Sequence, residues 1–249
     1  MTDRHLTHAQ GPSLRMFVFD TIGDMKSSYT IPIAIVLGGV IVALAVYFSV
    51  SRPPSTPSGK GNPATVRPIG VNDHILGNPA AKVLIIEYAD FDCTYCKGFS
   101  DTLHQIVADE GLNGEVAWIF RHFPLIEIHE NALRHAEAAE CAAQAGGNDA
   151  FWKFSDALFA AQPADPTKYG VYAEKAGVPG EAFASCYANA STTVYARVMA
   201  DRQNALDAGA IGTPYTLIVV PGKAPTIISG TYPYEAIQSM ISDALKEAQ

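Results

Sequence analysis

The chain has 249 residues, enough for one large domain or two small ones, and its 48% apolar content is ample for a packed core. The charged fraction of 17% is low for a soluble protein. A net charge of −8, with no basic run to offset it, argues against nucleic acid as a partner.

Residues 1–30 are polar to mixed and read as an N-terminal tail without helix or strand period. Residues 31–50 form an uncharged apolar run of 20 residues. At about 1.5 Å per residue this is long enough to cross a bilayer core of about 30 Å, so one transmembrane anchor is expected. A buried core helix of this length would show a polar face. A cleavable signal peptide is the stronger rival, but the run is longer than a signal h-region of roughly 7–15 residues, and Ala43-Leu44-Ala45 lies inside it. Arg15 and Lys26 precede the run, and Arg52, Lys60 and Arg67 follow it. That balance leans slightly against export of the C-terminal part, but long domains translocate largely regardless of loop charge. Residues 51–73 are rich in Pro, Ser and Gly and read as a semi-extended linker.

From His74 onward the pattern is globular. Strands are expected over residues 81–88, 115–123, 215–220 and 226–229, and helices over 93–108 and from about 234. Between them, residues 127–210 are Ala-rich and helical in period, broken by Gly146-Gly147, Pro163, Pro166, Gly177 and Pro179.

The chemistry concentrates at the first of these strand-to-helix junctions, Glu87-Tyr88-Ala89-Asp90-Phe91-Asp92-Cys93-Thr94-Tyr95-Cys96-Lys97. Two cysteines one helical turn apart can cycle between dithiol and disulfide. With Asp92 as N-cap, Cys93 falls in the first turn, where free N–H groups and the helix dipole favour a thiolate. Cys93 is therefore the expected nucleophile and Cys96 the shielded partner. A zinc half-site would need two more ligands, and no second Cys-x-x-Cys or His pair at metal spacing appears. Flanking Asp90 and Asp92 oppose thiolate formation unless capping outweighs them. Cys141 and Cys186 lie in different helices of the Ala-rich block. In an oxidising compartment they would form a structural disulfide worth a few kcal/mol; two buried free thiols are the alternative. His122, His129 and His135 receive no role.

This order of elements resembles the DsbA-like family of exported thiol-disulfide oxidoreductases, in its membrane-anchored or lipid-anchored single-domain branch. The residues that carry the resemblance are Gly77-Asn78-Pro79-Ala80-Ala81, the Cys93–Cys96 stretch, Arg121-His122-Phe123-Pro124-Leu125, residues 136–141, Phe151-Trp152-Lys153-Phe154 and Gly212-Thr213-Pro214. The resemblance implies an α/β thioredoxin-like fold over residues 74–249 with an inserted α-helical domain at about 127–210, preceded by the transmembrane helix. It implies that Pro214 is a cis-proline packed against the cysteine pair, with the Thr213 backbone turned toward an extended substrate. It also implies that Glu87 is a buried acid beneath Cys96, the rival being a strand-end surface glutamate. Strong oxidants of the family commonly carry Pro-His between the cysteines. Thr94-Tyr95 implies a milder couple, and Tyr95 and Thr213 are also met in isomerase and reductase relatives. The implied activity is introduction of disulfides into exported, cysteine-containing proteins on the periplasmic side, with reoxidation by a quinone-linked membrane partner. No organic cofactor or metal is required. Isomerisation or reduction at the same site, and a non-enzymatic binding or assembly role, stay open.

Overall fold

The computed structural model describes residues 37–44, 60–111 and 113–249. The chain divides into two units, Met1–Pro54 and Ser55–Gln249. Residues 37–44 are helical, and the rest of the expected anchor over residues 31–50 lies outside the described residues. Among the described residues no helix is long and apolar enough to cross a membrane.

The second unit is built on five strands: β1 (His74–Gly77), β2 (Val83–Ala89), β3 (Val116–His122), β4 (Tyr215–Val219) and β5 (Thr226–Ser229). Their order in the sheet is β1-β3-β2-β4-β5. β2 and β3 run parallel, joined by helix α1 (Thr94–Glu110), while β1, β4 and β5 add antiparallel strands. The short outer strand β1 has only four residues, too few to show a period, and it is set by pairing with Ala117 to Phe120 of β3.

Alternation along the strands decides which face each side chain meets. Val83, Ile85, Val116, Trp118 and Phe120 join Phe99, Leu103 and Ile106 of α1 and Ile237 and Ile241 of α7 (Tyr234–Glu247) in one buried cluster. Ile86, Tyr88, Ile119, Tyr215 and Leu217 form the second cluster with Ala205 and Ala208. The same period places Glu87 on the α1 face, among residues that pack around Cys96.

The helical insertion comprises α2 (Ala132–Ala160), α3 (Tyr169–Lys175), α4 (Gly180–Ala188), α5 (Ala190–Thr193) and α6 (Tyr195–Ala208). The break expected at Gly146-Gly147 is present inside α2: Gly147, at φ +78° and ψ −169°, is non-helical, and two helical runs meet there at a kink, in a backbone state a side chain would strain. Cys141 of α2 and Cys186 of α4 are joined by a disulfide.

The linker read over residues 51–73 is, from residue 60 onward, bound to the domain. Asn62 N–H donates to Asp207 O at 2.8 Å, and Asn204 Nδ2 donates to Thr65 O at 2.8 Å. Gly61 lies so close to Gly209 that a β-carbon on it would stand 2.2 Å from the Gly209 nitrogen. Arg67 bonds both Asp73 and Asp201, and the fully buried Arg121 takes Asp73 at 2.9 Å. Apart from Asp73 these partners lie far along the chain, so composition alone reads the segment as free.

Candidate active site

The loop after β2 is folded by Asp90, whose carboxylate is buried at the strand end. Its Oδ1 accepts Asp92 N–H at 2.8 Å and its backbone O accepts Cys93 N–H at 3.1 Å. Its Oδ2 reaches across to the loop after β3, accepting Leu125 N–H at 2.8 Å and facing His129 Nδ1 at 2.8 Å.

This turn makes Cys93, not Asp92, the N-cap residue of α1, with φ −76° and ψ 118° and no side-chain capping bond. The cap expected from Asp92 is corrected: Asp90 has already taken the loop N–H groups, and the Asp92 carboxylate instead stands 3.0 Å from buried His135 Nε2 on α2. The Cys93 sulfur therefore sits directly at the helix start. The Cys96 thiol donates to it and lowers its pKa to about 6, against partial burial. Thr213 and the backbone N–H groups of Cys96 and Tyr95 add to the stabilisation. Cys96, with no exposed surface, is pushed the other way by burial, to well above the ordinary thiol range. The pair thus separates an ionised sulfur from a protonated one; Cys93, expected to be exposed at the helix start, is itself only 6% exposed, and Cys96 has no exposed surface.

β4 begins right after Thr213-Pro214, whose peptide bond is cis. The Thr213 carbonyl oxygen faces the Cys93 Sγ at 3.5 Å. Glu87 is 1% exposed, opposite Thr216 in β4 and Phe120 in β3. Neither of its oxygens makes a well-formed hydrogen bond. Burial pushes its pKa up to about 8, with the nearby Trp118 indole offsetting only part. At neutral pH it holds a proton on the face of the sheet that packs against the cysteine pair.

The structure also gives partners to histidines that spacing left without a role. His129 meets Asp90, and His135 lies between Asp92 and the Tyr169 hydroxyl, which stands 2.6 Å from its Nδ1. These acid–histidine contacts flank the loop that carries Cys93, and no local pattern announces them because each joins different elements. Four apolar side chains around the site are exposed: Tyr95, Ile126, Ile128 and Ile211. They sit on the three segments tied together by Asp90 and by the Cys93–Thr213 contact.

The family model described as thioredoxin (Thioredoxin_4) matches residues 70–243. Among solved structures, α-DsbA1 of Wolbachia pipientis superposes with a TM-score of 0.64 at 22% identity, covering 75% of this chain and 97% of that one. BdbD of Bacillus subtilis gives 0.60 at 23% identity over 76% of this chain and 97% of that one. DsbA2 of Pseudomonas aeruginosa gives 0.56 at 26% identity over 71% and 96%. Two curated relatives are Na(+)/H(+) antiporters. NhaA 1 of Mycolicibacterium gilvum is 30% identical over 84% of this chain and 34% of its own length, and NhaA 3 of Salinispora tropica is 40% identical over 39% and 15%. The chain spans about a third or less of the length of these curated relatives.

Proposed function

The chain belongs to the Thioredoxin_4 family, with the fold of the DsbA-like thiol-disulfide oxidoreductases, and from that premise we propose that it introduces disulfides into proteins outside the cytoplasm. The observation that carries the proposal is the opposed protonation of the two sulfurs, Cys93 lowered to about 6 and Cys96 raised. A thiolate stabilised in the reduced pair makes the disulfide form an oxidant, because it favours leaving the pair reduced.

In the oxidised enzyme a substrate thiolate attacks the Cys93 sulfur. The Cys93–Cys96 bond breaks, and Cys96 leaves as a thiolate that takes up a proton. Glu87, protonated at neutral pH on the same face, is the donor at hand. A second substrate thiolate then attacks the substrate sulfur of the mixed disulfide, and Cys93 leaves as its stabilised thiolate. Two electrons have entered the pair and the substrate holds a new disulfide. The Thr213 backbone and the exposed Tyr95, Ile126, Ile128 and Ile211 offer an unfolded chain both an edge to pair with and apolar contacts.

The anchor over residues 31–50 would hold the domain at the outer face of the membrane, where a quinone-linked partner reoxidises the pair. The membrane setting is also favoured by relatives that are named as antiporters. The Cys141–Cys186 disulfide favours an oxidising compartment. Isomerisation or reduction at the same site is the second reading, favoured by Tyr95 and Thr213. Equilibration with glutathione decides between them. Oxidation predicts a potential clearly above thioredoxin's roughly −270 mV and below the roughly −120 mV of the strongest oxidants. A value at or below about −270 mV assigns the reducing direction instead.

A further inference from the structure

Behind the redox site, His74 of β1, His122 at the end of β3 and Glu140 of α2 converge in the interior, and their donor atoms all lie within 4.8 Å of one another. All three are nearly fully buried. His74 Nε2 and His122 Nε2 point at the same oxygen, Glu140 Oε1, at 2.8 and 2.9 Å. Three separate elements thus deliver two imidazoles and one carboxylate to a single point. His74 is fixed there by stacking on Phe151, with ring centroids 3.5 Å apart.

The fourth side of this point is held by a cation. Arg197, near the start of α6, puts Nε 2.8 Å from Glu140 Oε1, with its terminal nitrogen 3.1 Å from His74 Nε2 and against Asn72 O. Unlike the other three it is partly solvent-exposed, at 28% of its side chain. It lines, with His74, Glu140, Gln144 and Asn148, a cavity of about 440 Å³. The guanidinium therefore has somewhere to go, and its departure would leave the Glu140 carboxylate and the His74 imidazole facing the cavity, with His122 behind them.

We propose that His74, His122 and Glu140 form a binding site for a divalent transition-metal ion, zinc being the best match, and that Arg197 is the resident counter-cation the metal displaces. Two His and one Glu are a zinc donor set, and the cavity leaves the fourth position to water. With bonds of about 2.0–2.1 Å, tetrahedral ligand atoms stand about 3.3 Å apart, so the hydrogen-bonded cluster has to open by about half an ångström per contact. Metal binding requires each imidazole to present an unprotonated Nε2, so a proton held there moves to Nδ1 or is released. The consequence is structural: the ion would tie β1, β3 and α2 together and stabilise the folded chain by mass action.

The test uses the full chain with Cys93–Cys96 oxidised, so that no thiol competes, titrated with zinc chloride by calorimetry and followed by thermal melting. One zinc per chain and a rise in Tm are expected, with X-ray absorption showing imidazole and oxygen ligands and no sulfur. Glu140→Gln weakens binding by at least about tenfold. Arg197→Ala tightens it, because the competing cation is gone, and Arg197→Gln does the same if the alanine variant folds poorly. Absence of zinc binding by the oxidised wild-type chain overturns the proposal. So does equal binding by Glu140→Gln, or a loss of affinity on removing Arg197, which would make the arginine a fixed part of a metal-free polar cluster.

Discussion

Glu87 and Glu140 are buried almost equally, at 1% and 3% exposure, yet the protein treats them in opposite ways. Glu87 stands on the sheet face beside the cysteine pair with no well-formed partner, and burial raises its pKa to about 8. Glu140 is surrounded by His74, His122 and Arg197, and its hydrogen bonds with the two histidines hold it well below the ordinary range despite burial. A buried acid without a partner is a proton store, useful beside a thiol that must gain and lose one. A buried acid with three donors is a fixed charge, useful for holding elements together. The difference lies in partners brought from elsewhere, not in the residue or its depth.

Removing each acid separates the two roles. Glu140→Ala leaves an uncompensated arginine beside two imidazoles and should cost about 3–5 kcal/mol in urea unfolding. A loss below about 1 kcal/mol would mean that Arg197 is stable without its anion.

Glu87→Gln should act through pH. The folded pKa of about 8 lies above the unfolded value near 4.5. Its contribution to stability is therefore complete below pH 4.5 and is lost as pH rises through 8. The glutamine variant, compared in the oxidised state, should match wild type at acid pH and become more stable by a few kcal/mol above pH 8. It should also slow the exchange step in which Cys96 takes a proton. Parallel stability profiles for the two proteins would remove Glu87 from the account.

His129→Ala takes from Asp90 one of three contacts and should cost about 1 kcal/mol. Its sharper signature is a reduced rate with unfolded protein substrates but not with a small dithiol, because the Ile126 and Ile128 loop keeps only the Leu125 N–H bond of its two ties to Asp90.

Much of the centre was legible in the sequence. Cys93 and Cys96 announce themselves by spacing and by the β-branched run before them, whereas a buried Glu87 is implied only by the family resemblance. The helical insertion is marked by Ala-rich periodicity and its Gly and Pro breaks. The rest depends on distant partners. Asp92 reads as a cap, but Asp90 folds the loop first and hands that position to Cys93. Residues 60–73 read as free linker because Asn204, Asp201 and Arg121, which hold them, lie elsewhere in the chain. β1 is too short to show a period, and His74, His122 and Glu140 share no spacing that marks a cluster.

The central claim is that the helix start and its neighbours hold Cys93 as a thiolate at neutral pH. It is tested most directly by titrating thiolate absorbance in the reduced chain. A midpoint near pH 6, lost in Cys93→Ser, is the predicted result. A single transition at or above the free-thiol value of about 8.5 would contradict it.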